Sequence, residues 1–318
     1  MLIDRRDCLA GLAGTALLLL TGCATGTPPP EQGNGSADER LRQALAALEA
    51  SSGGKLGIAL LDAKDGTLVG HRADERFTMC STFKLSLVAA VLARANTGDI
   101  ALDALMPITP DDPVGHSPAV RAALAKGETA MSVAALCEAS QTVSDNGASN
   151  ILLRLIGGPQ ALTAFWRGLG DHVTRLDRYE PELNIGGETE LRGAASAAAM
   201  ARSMQAILTG PMLKPASRQR LIDWTVATQT GLKRLRGGLP AGWRAGDKTG
   251  TNMGDGSYAG KVNDIAVMWH PGRAEPFMVA AYLEPSVRGG DTRPEDEAVL
   301  AQVGRIAAGW VAERVAHR

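Results

Sequence analysis

The order of strand-like and helix-like stretches most narrows the folds open to this chain. Apolar runs at 55–61 and 67–71 flank Asp65-Gly66 and read as a β-hairpin. Ahead of them, Ser36-Ala37-Asp38-Glu39 is a capping-box pattern opening a helix with Leu41, Leu45 and Leu48 on one face, ended by Gly53-Gly54. From Ser81 to about Thr228 the chain is rich in Ala and Leu with helical periodicity, broken at Gly98, Pro113, Gly127, Gly157-Gly158, Gly170 and Gly210-Pro211. Strand signals return at 244–251, 262–270 and 276–284, before a last amphipathic helix at 294–316 carrying Val299, Val303, Ile306, Trp310 and Val315. Strands that are neighbours in sequence, rather than alternating with helices, favour an antiparallel sheet over a doubly wound one. The expected fold is α/β (α+β): a five-stranded antiparallel sheet built from both chain ends and flanked by terminal helices. An all-helical lobe is inserted between strands two and three, and the site is expected in the cleft between lobes.

The first residues read as processing rather than fold. Arg5-Arg6 precede an apolar run from Leu9 to Leu20 that is short for a bilayer span. It ends Leu20-Thr21-Gly22-Cys23, which resembles a bacterial lipoprotein signal cleaved before Cys23 with lipid on that thiol; Arg5-Arg6-Asp7-Cys8-Leu9 also resembles a twin-arginine signal. The division expected is a signal peptide at 1–22, a lipid-anchored linker at 23–36 (rich in Pro, Gly and polar residues) and a catalytic domain at 37–316. Within that domain the α/β lobe takes 37–78 and 229–316, and the helical lobe 79–228. Export to the periplasm on a lipid anchor follows, with the lipid as the sole membrane contact. Of four cysteines, Cys8 leaves with the signal and Cys23 takes the lipid. Cys80 and Cys137 remain, too few for a disulfide framework, and their apolar helical surroundings mark them as buried free thiols. A formal net charge of −1 offers no basic surface for nucleic acid.

Three short motifs carry chemistry. In Met79-Cys80-Ser81-Thr82-Phe83-Lys84 a hydroxyl and an amine three residues apart share a helix face, with Cβ atoms about 5–6 Å apart. The amine can then hold or take the serine proton, and a helix N-terminus favours a developing anion. Alone the motif is weak, since Ser-x-x-Lys arises by chance about once in a chain of this size. Ser144-Asp145-Asn146 stands between two helical stretches, where the ordinary alternative is an N-cap. Lys248-Thr249-Gly250 lies on the third strand signal, where the alternative is an exposed edge-strand lysine. A loop, Arg178-Tyr179-Glu180-Pro181-Glu182-Leu183-Asn184, adds carboxylates, with a solvated acidic turn as its alternative.

Together, in this order, these motifs resemble those of class A serine β-lactamases within the penicillin-binding-protein superfamily. The resemblance covers the chain from about Ser36 to Ala316. It implies hydrolysis of β-lactam antibiotics, and so resistance to them, by a monomer using no cofactor or metal. Ser81 attacks the lactam carbonyl, with the backbone N–H groups of Ser81 and Thr251 as oxyanion hole. Lys84, or Glu180 through a water, takes the serine proton, and Ser144 passes a proton to the departing nitrogen. Asn146 holds the substrate amide and orients Lys84. Lys248, Thr249 and Gly250 bind the substrate carboxylate, supported by Arg234 because Val262 stands where other members place an arginine. Glu180 with Asn184 holds the deacylating water, and Glu180-Pro181 is expected cis.

The chain departs from the family in places. Gly193 stands where an Asp usually pairs with the arginine at Arg178, so Glu188 or Glu190 is expected to replace it. The connection 251–261 is long, which implies an extended hairpin turning at Asp255-Gly256, with Tyr258 covering it. His116 takes a cleft-mouth position that the family fills with a larger aromatic. Members that bridge Cys80 or Cys137 do so to positions held here by Asn252 and Val88, so neither bridge is expected. The nearest alternative is a penicillin-binding D,D-peptidase or β-lactam sensor that acylates without turnover; a more distant one is a lipid-anchored solute-binding protein. Metal-dependent hydrolysis is disfavoured, because His71, His116, His172, His270 and His317 lack ligand spacing.

Overall fold

The computed structural model describes residues 35–185, 191–254 and 256–316. The expected signal and most of the tether therefore lie outside the described residues. The chain opens with α1 (Ala37–Ser52), β1 (Lys55–Asp62) and β2 (Leu68–His71). Ser36 starts α1 as its sequence suggested, its hydroxyl accepting from the Glu39 N–H at 3.2 Å, and Gly53 ends it at φ +66°. The hairpin closes through Gly66 N–H to Asp62 O and Asp62 N–H to Thr67 O, both 2.9 Å.

A mainly helical stretch follows. It runs through β3 (Arg76–Thr78), a 3₁₀ turn at Cys80–Thr82, α2 (Phe83–Thr97), β4 (Leu105–Pro107), α3 (Pro118–Ala125) and β5 (Ala130–Ser132). It continues through α4 (Val133–Thr142), α5 (Asn146–Ile156), α6 (Pro159–Gly168), β6 (Ala194–Ser196), α7 (Ala197–Leu208) and α8 (Pro215–Val226). The chain then returns to the sheet with β7 (Arg244–Asn252), β8 (Lys261–Trp269) and β9 (Phe277–Glu284), and closes with α9 (Pro294–Ala316). Two short ladders, β3 with β6 and β4 with β5, accompany the helices; their three-residue strands are too brief to show a period in the sequence.

The main sheet has the order β2-β1-β9-β8-β7 and is antiparallel throughout. Its central strand β9 comes from one end of the chain and the neighbouring β1 from the other. Period-two alternation divides its side chains between two cores. Leu56, Ile58, Leu60, Val279, Ala281 and Leu283 meet Leu41 and Leu45 of α1 and Leu300, Val303 and Trp310 of α9. Ala59, Leu61, Met278, Ala280 and Tyr282 face the helical body. At the centre of that body, α2 is buried on every side from Phe83 to Leu92, as a helix that is apolar all round must be.

Asp145 fixes the helices that border the cleft. Its buried carboxylate caps α5 by accepting from Ala148 N–H at 2.8 Å through Oδ1. Oδ2 accepts from Ala119 N–H at 2.7 Å and Val120 N–H at 3.1 Å, in the first turn of α3. One carboxylate thus satisfies the free N–H groups, and complements the dipoles, of two helices. Asp145→Ala removes both caps, so stability measured by urea unfolding should fall by about 1–4 kcal/mol, whereas a surface carboxylate such as Glu138 should be neutral on truncation.

Candidate active site

Ser81 sits in the 3₁₀ turn that feeds α2, with Cys80 before it held at φ +46°. A non-glycine residue in the left-handed region stores about 1–3 kcal/mol and persists only where packing enforces it. The packing comes from β7. A Cβ at Gly250 would lie 2.5 Å from Met79 O and 3.1 Å from Cys80 Cβ, so only glycine lets the strand close on this turn. Cys80 and Cys137 are free and buried, as expected; burial pushes the Cys80 thiol up to about 12 and raises that of Cys137 as well, leaving both inert.

Beneath Ser81, Lys84 and Lys248 are both fully buried. Lys84 Nζ donates to Asn146 Oδ1 at 2.5 Å, to Ser144 O at 2.9 Å and to Ser144 Oγ at 3.4 Å. It also lies 3.3 Å from Glu180 Oε1. Lys248 Nζ donates to Ser144 Oγ and Thr249 O, both at 2.9 Å. Ser144, at φ +58°, is turned so that its hydroxyl oxygen accepts from both ammonium groups. A hydroxyl has two lone pairs and one hydrogen, so this arrangement leaves its O–H free to donate. Burial lowers the pKa of Lys84 against the opposing pull of Glu180. It lowers Lys248 further, because Lys84 adds a like charge. The direct Ser81–Lys84 contact implied by the helix spacing is replaced by another: Ser81 Oγ donates to Glu180 Oε1 at 3.2 Å.

The glutamate belongs to a loop whose Glu180-Pro181 bond is cis, as expected. Glu180 Oε2 accepts from Asn184 Nδ2 at 2.5 Å, and Asn184 Nδ2 also donates to Pro181 O at 3.0 Å. Asn150 of α5 grips the same loop by its backbone: Glu180 N–H donates to Asn150 Oδ1 at 3.0 Å and Asn150 Nδ2 to Glu180 O at 2.9 Å. Sequence reasoning missed Asn150, although it stands one helical turn after Asn146, on the same side of α5. Arg178 donates through Nη2 to Ile185 O at 2.6 Å and Arg192 O at 3.3 Å. Glu188 and Glu190, expected to pair with it, lie outside the described residues.

At the far side, Arg234 is nearly buried. It donates to Asn263 O and Thr251 Oγ1, both at 2.8 Å, and its Nε lies 3.4 Å from Glu297 Oε1. Thr249 Oγ1 donates to Thr230 Oγ1 at 2.9 Å. Thr230 and Glu297 were not singled out from sequence; α9 and the segment after α8 reach the cleft only through the fold. The long connection between β7 and β8 is an extended hairpin, with Asp255 outside the described residues, and Tyr258 packs over it rather than lining the cleft.

These groups open onto a cleft of about 390 Å³. Ser81, Ser144, Asn146, Glu180, Asn184, Thr249, Thr251 and Arg234 line it, Lys84 and Lys248 lie under its floor, and Gly250 backs it. His116 also lines the mouth, its Nε2 3.0 Å from Val143 O. A serine hydroxyl bonded to a carboxylate, beside a second hydroxyl held by two buried ammonium groups, defines a serine hydrolase.

Comparisons with known proteins narrow the class. The model of the beta-lactamase enzyme family matches residues 40–311. Beta-lactamase L2 of Stenotrophomonas maltophilia is 44% identical over 263 residues, covering 83% of each chain. The crystal structure of a beta-lactamase from Xanthomonas campestris superposes with a TM-score of 0.81 at 41% identity, over 87% of this chain and 99% of that one. An ancestral class A beta-lactamase gives 0.77 at 49% identity, over 86% and 99%. The chain belongs to the class A serine β-lactamases.

The buried lysines set an expected pH dependence. Lys248 holds its proton only below a pKa well under that of ordinary lysine, so rising pH removes its charge early. The KM for a carboxylate-bearing β-lactam should therefore climb at a lower alkaline pH than an exposed lysine would give. Lys248→Arg, which stays charged, should shift that climb upward.

Proposed function

We propose that this cleft hydrolyses β-lactams in two steps through an ester on Ser81. Lys248, Thr249 and Arg234 hold the substrate carboxylate and Asn146 its amide side chain, while the backbone N–H groups of Ser81 and Thr251 receive the oxyanion. Ser81 loses its proton to Glu180 Oε1, its hydrogen-bond partner. Lys84, 3.3 Å from the same oxygen and with a lowered pKa, gives that proton a second route. Ser144 donates its hydrogen to the departing lactam nitrogen and regains one from the Lys84 ammonium. Lys84 takes in turn the proton held by Glu180, so that Glu180 is a carboxylate again before deacylation.

Turnover rests on one observation: Glu180 reaches Ser81 Oγ while Asn184 fixes its other oxygen. Asn184 Oδ1 is buried and has no protein partner among the described residues, leaving an acceptor for a water that Glu180 deprotonates against the ester. A D,D-peptidase or sensor lacks such a base and stays acylated. Glu180→Gln should accumulate a penicillin adduct visible by intact-protein mass spectrometry, because deacylation loses its base while Lys84 still supports acylation. Equal loss of both steps would overturn this assignment of roles.

The leader extends the reading to location. Leu20-Thr21-Gly22-Cys23 supports cleavage before Cys23 and a lipid on its thiol, tethering the enzyme to a membrane in the periplasm. Wild-type protein should then fractionate with membranes and incorporate labelled fatty acid. Cys23→Ser should lose the label and leave the membrane fraction.

A further inference from the structure

We infer that Asn252 and Tyr258 are positioning residues for deacylation, fastening the glutamate loop to the extended β7–β8 hairpin; this rests on the reading that Glu180 activates the hydrolytic water. Asn252 ends β7, directly after Thr251. Its carboxamide makes three hydrogen bonds that leave only one possible orientation. Oδ1 accepts from Gly254 N–H at 2.9 Å, which only an oxygen can do. Nδ2 then donates to Asn184 O at 2.8 Å and to Tyr258 OH at 3.1 Å. The Asn184 carbonyl so held belongs to the residue whose side chain aims Glu180 Oε2. A shift of the Asn184 backbone would therefore carry the carboxylate with it, and a displacement of under an ångström is enough to impair a positioned base.

The other end of this fastening is itself fixed. The Tyr258 ring lies against Gly254, at φ +68°, where a Cβ would come within 2.7 Å of the ring. Lys261 Nζ is 5.7 Å from the ring centroid and 3.3 Å from Glu284 Oε1 of β9. Gly289 N–H donates to Met253 O at 3.1 Å, tying the hairpin to the segment after β9. The long connection thus works as a brace: the sheet holds Tyr258, Tyr258 orients Asn252, and Asn252 restrains the loop that carries the base.

The test separates acylation from deacylation. Asn252→Asp keeps the shape and removes both donors; Tyr258→Phe keeps the ring and removes one hydroxyl. Quench-flow mass spectrometry with a slowly hydrolysed penicillin reads the rate of adduct formation and the rate of its decay. Decay should slow about tenfold in N252D and about threefold in Y258F. Adduct formation, which keeps Lys84 as a second proton acceptor, should stay within about twofold of wild type, which also reports that the variants fold. In a Glu180→Gln background N252D should slow decay no further, since the group it positions is gone. Unchanged decay in N252D, equal loss of both rates, or a further slowing in the Glu180→Gln background would each overturn the inference. Failure of Glu180→Gln alone to accumulate adduct would instead overturn the glutamate reading, and this one with it.

Discussion

Two ammonium groups buried against a single hydroxyl are the constraint that shapes the rest of this molecule. Lys84 and Lys248 have no access to water, and Ser144 Oγ accepts from both. Like charges held this close are tolerable only with hydrogen-bond acceptors around each ammonium and a counter-charge near. Asn146 Oδ1 and Ser144 O at Lys84, Thr249 O at Lys248 and the Glu180 carboxylate answer that demand, and they come from three separate parts of the chain. Satisfying the lysines thus requires α2, α5, the glutamate loop and β7 to arrive at one point, and that point is the cleft.

The same requirement explains the small residues and strained angles around it. Gly250 permits the closest approach of β7 to the nucleophile turn, while Cys80 and Ser144 hold left-handed conformations that neither side chain favours. Asp145, between two cleft residues, spends its carboxylate on helix N-termini. The ordinary reading of Ser144-Asp145-Asn146 as a helix cap is therefore true of its middle residue, while the outer two face the chemistry.

Most of the architecture was legible in the sequence because it rests on local patterns. Ser36, Gly53 and Asp65-Gly66 marked boundaries that the structure keeps, and neighbouring strand signals at both chain ends implied the antiparallel sheet. The expected site residues stand in three motifs and a loop at fixed spacings, with Arg234 added by the family resemblance, and the fold brings them to one cleft. What sequence missed is non-local. Glu297 and Thr230 reach the cleft only once α9 and the turn after α8 are packed, and Asn150 acts through backbone contacts that any polar residue pattern leaves silent. Spacing pointed to Lys84 as the neighbour of Ser81 and the loop to Glu180; the structure puts Glu180 Oε1 within reach of both.

The central strand of the sheet, β9, comes very late in synthesis and its partner β1 very early, with Leu56 beside Leu283. Neither hydrophobic core can close until Phe277–Glu284 has left the ribosome, because both faces of β9 supply core side chains. The chain is therefore built to remain open while it is being made, and a copy interrupted before β9 has no partial fold to fall back on.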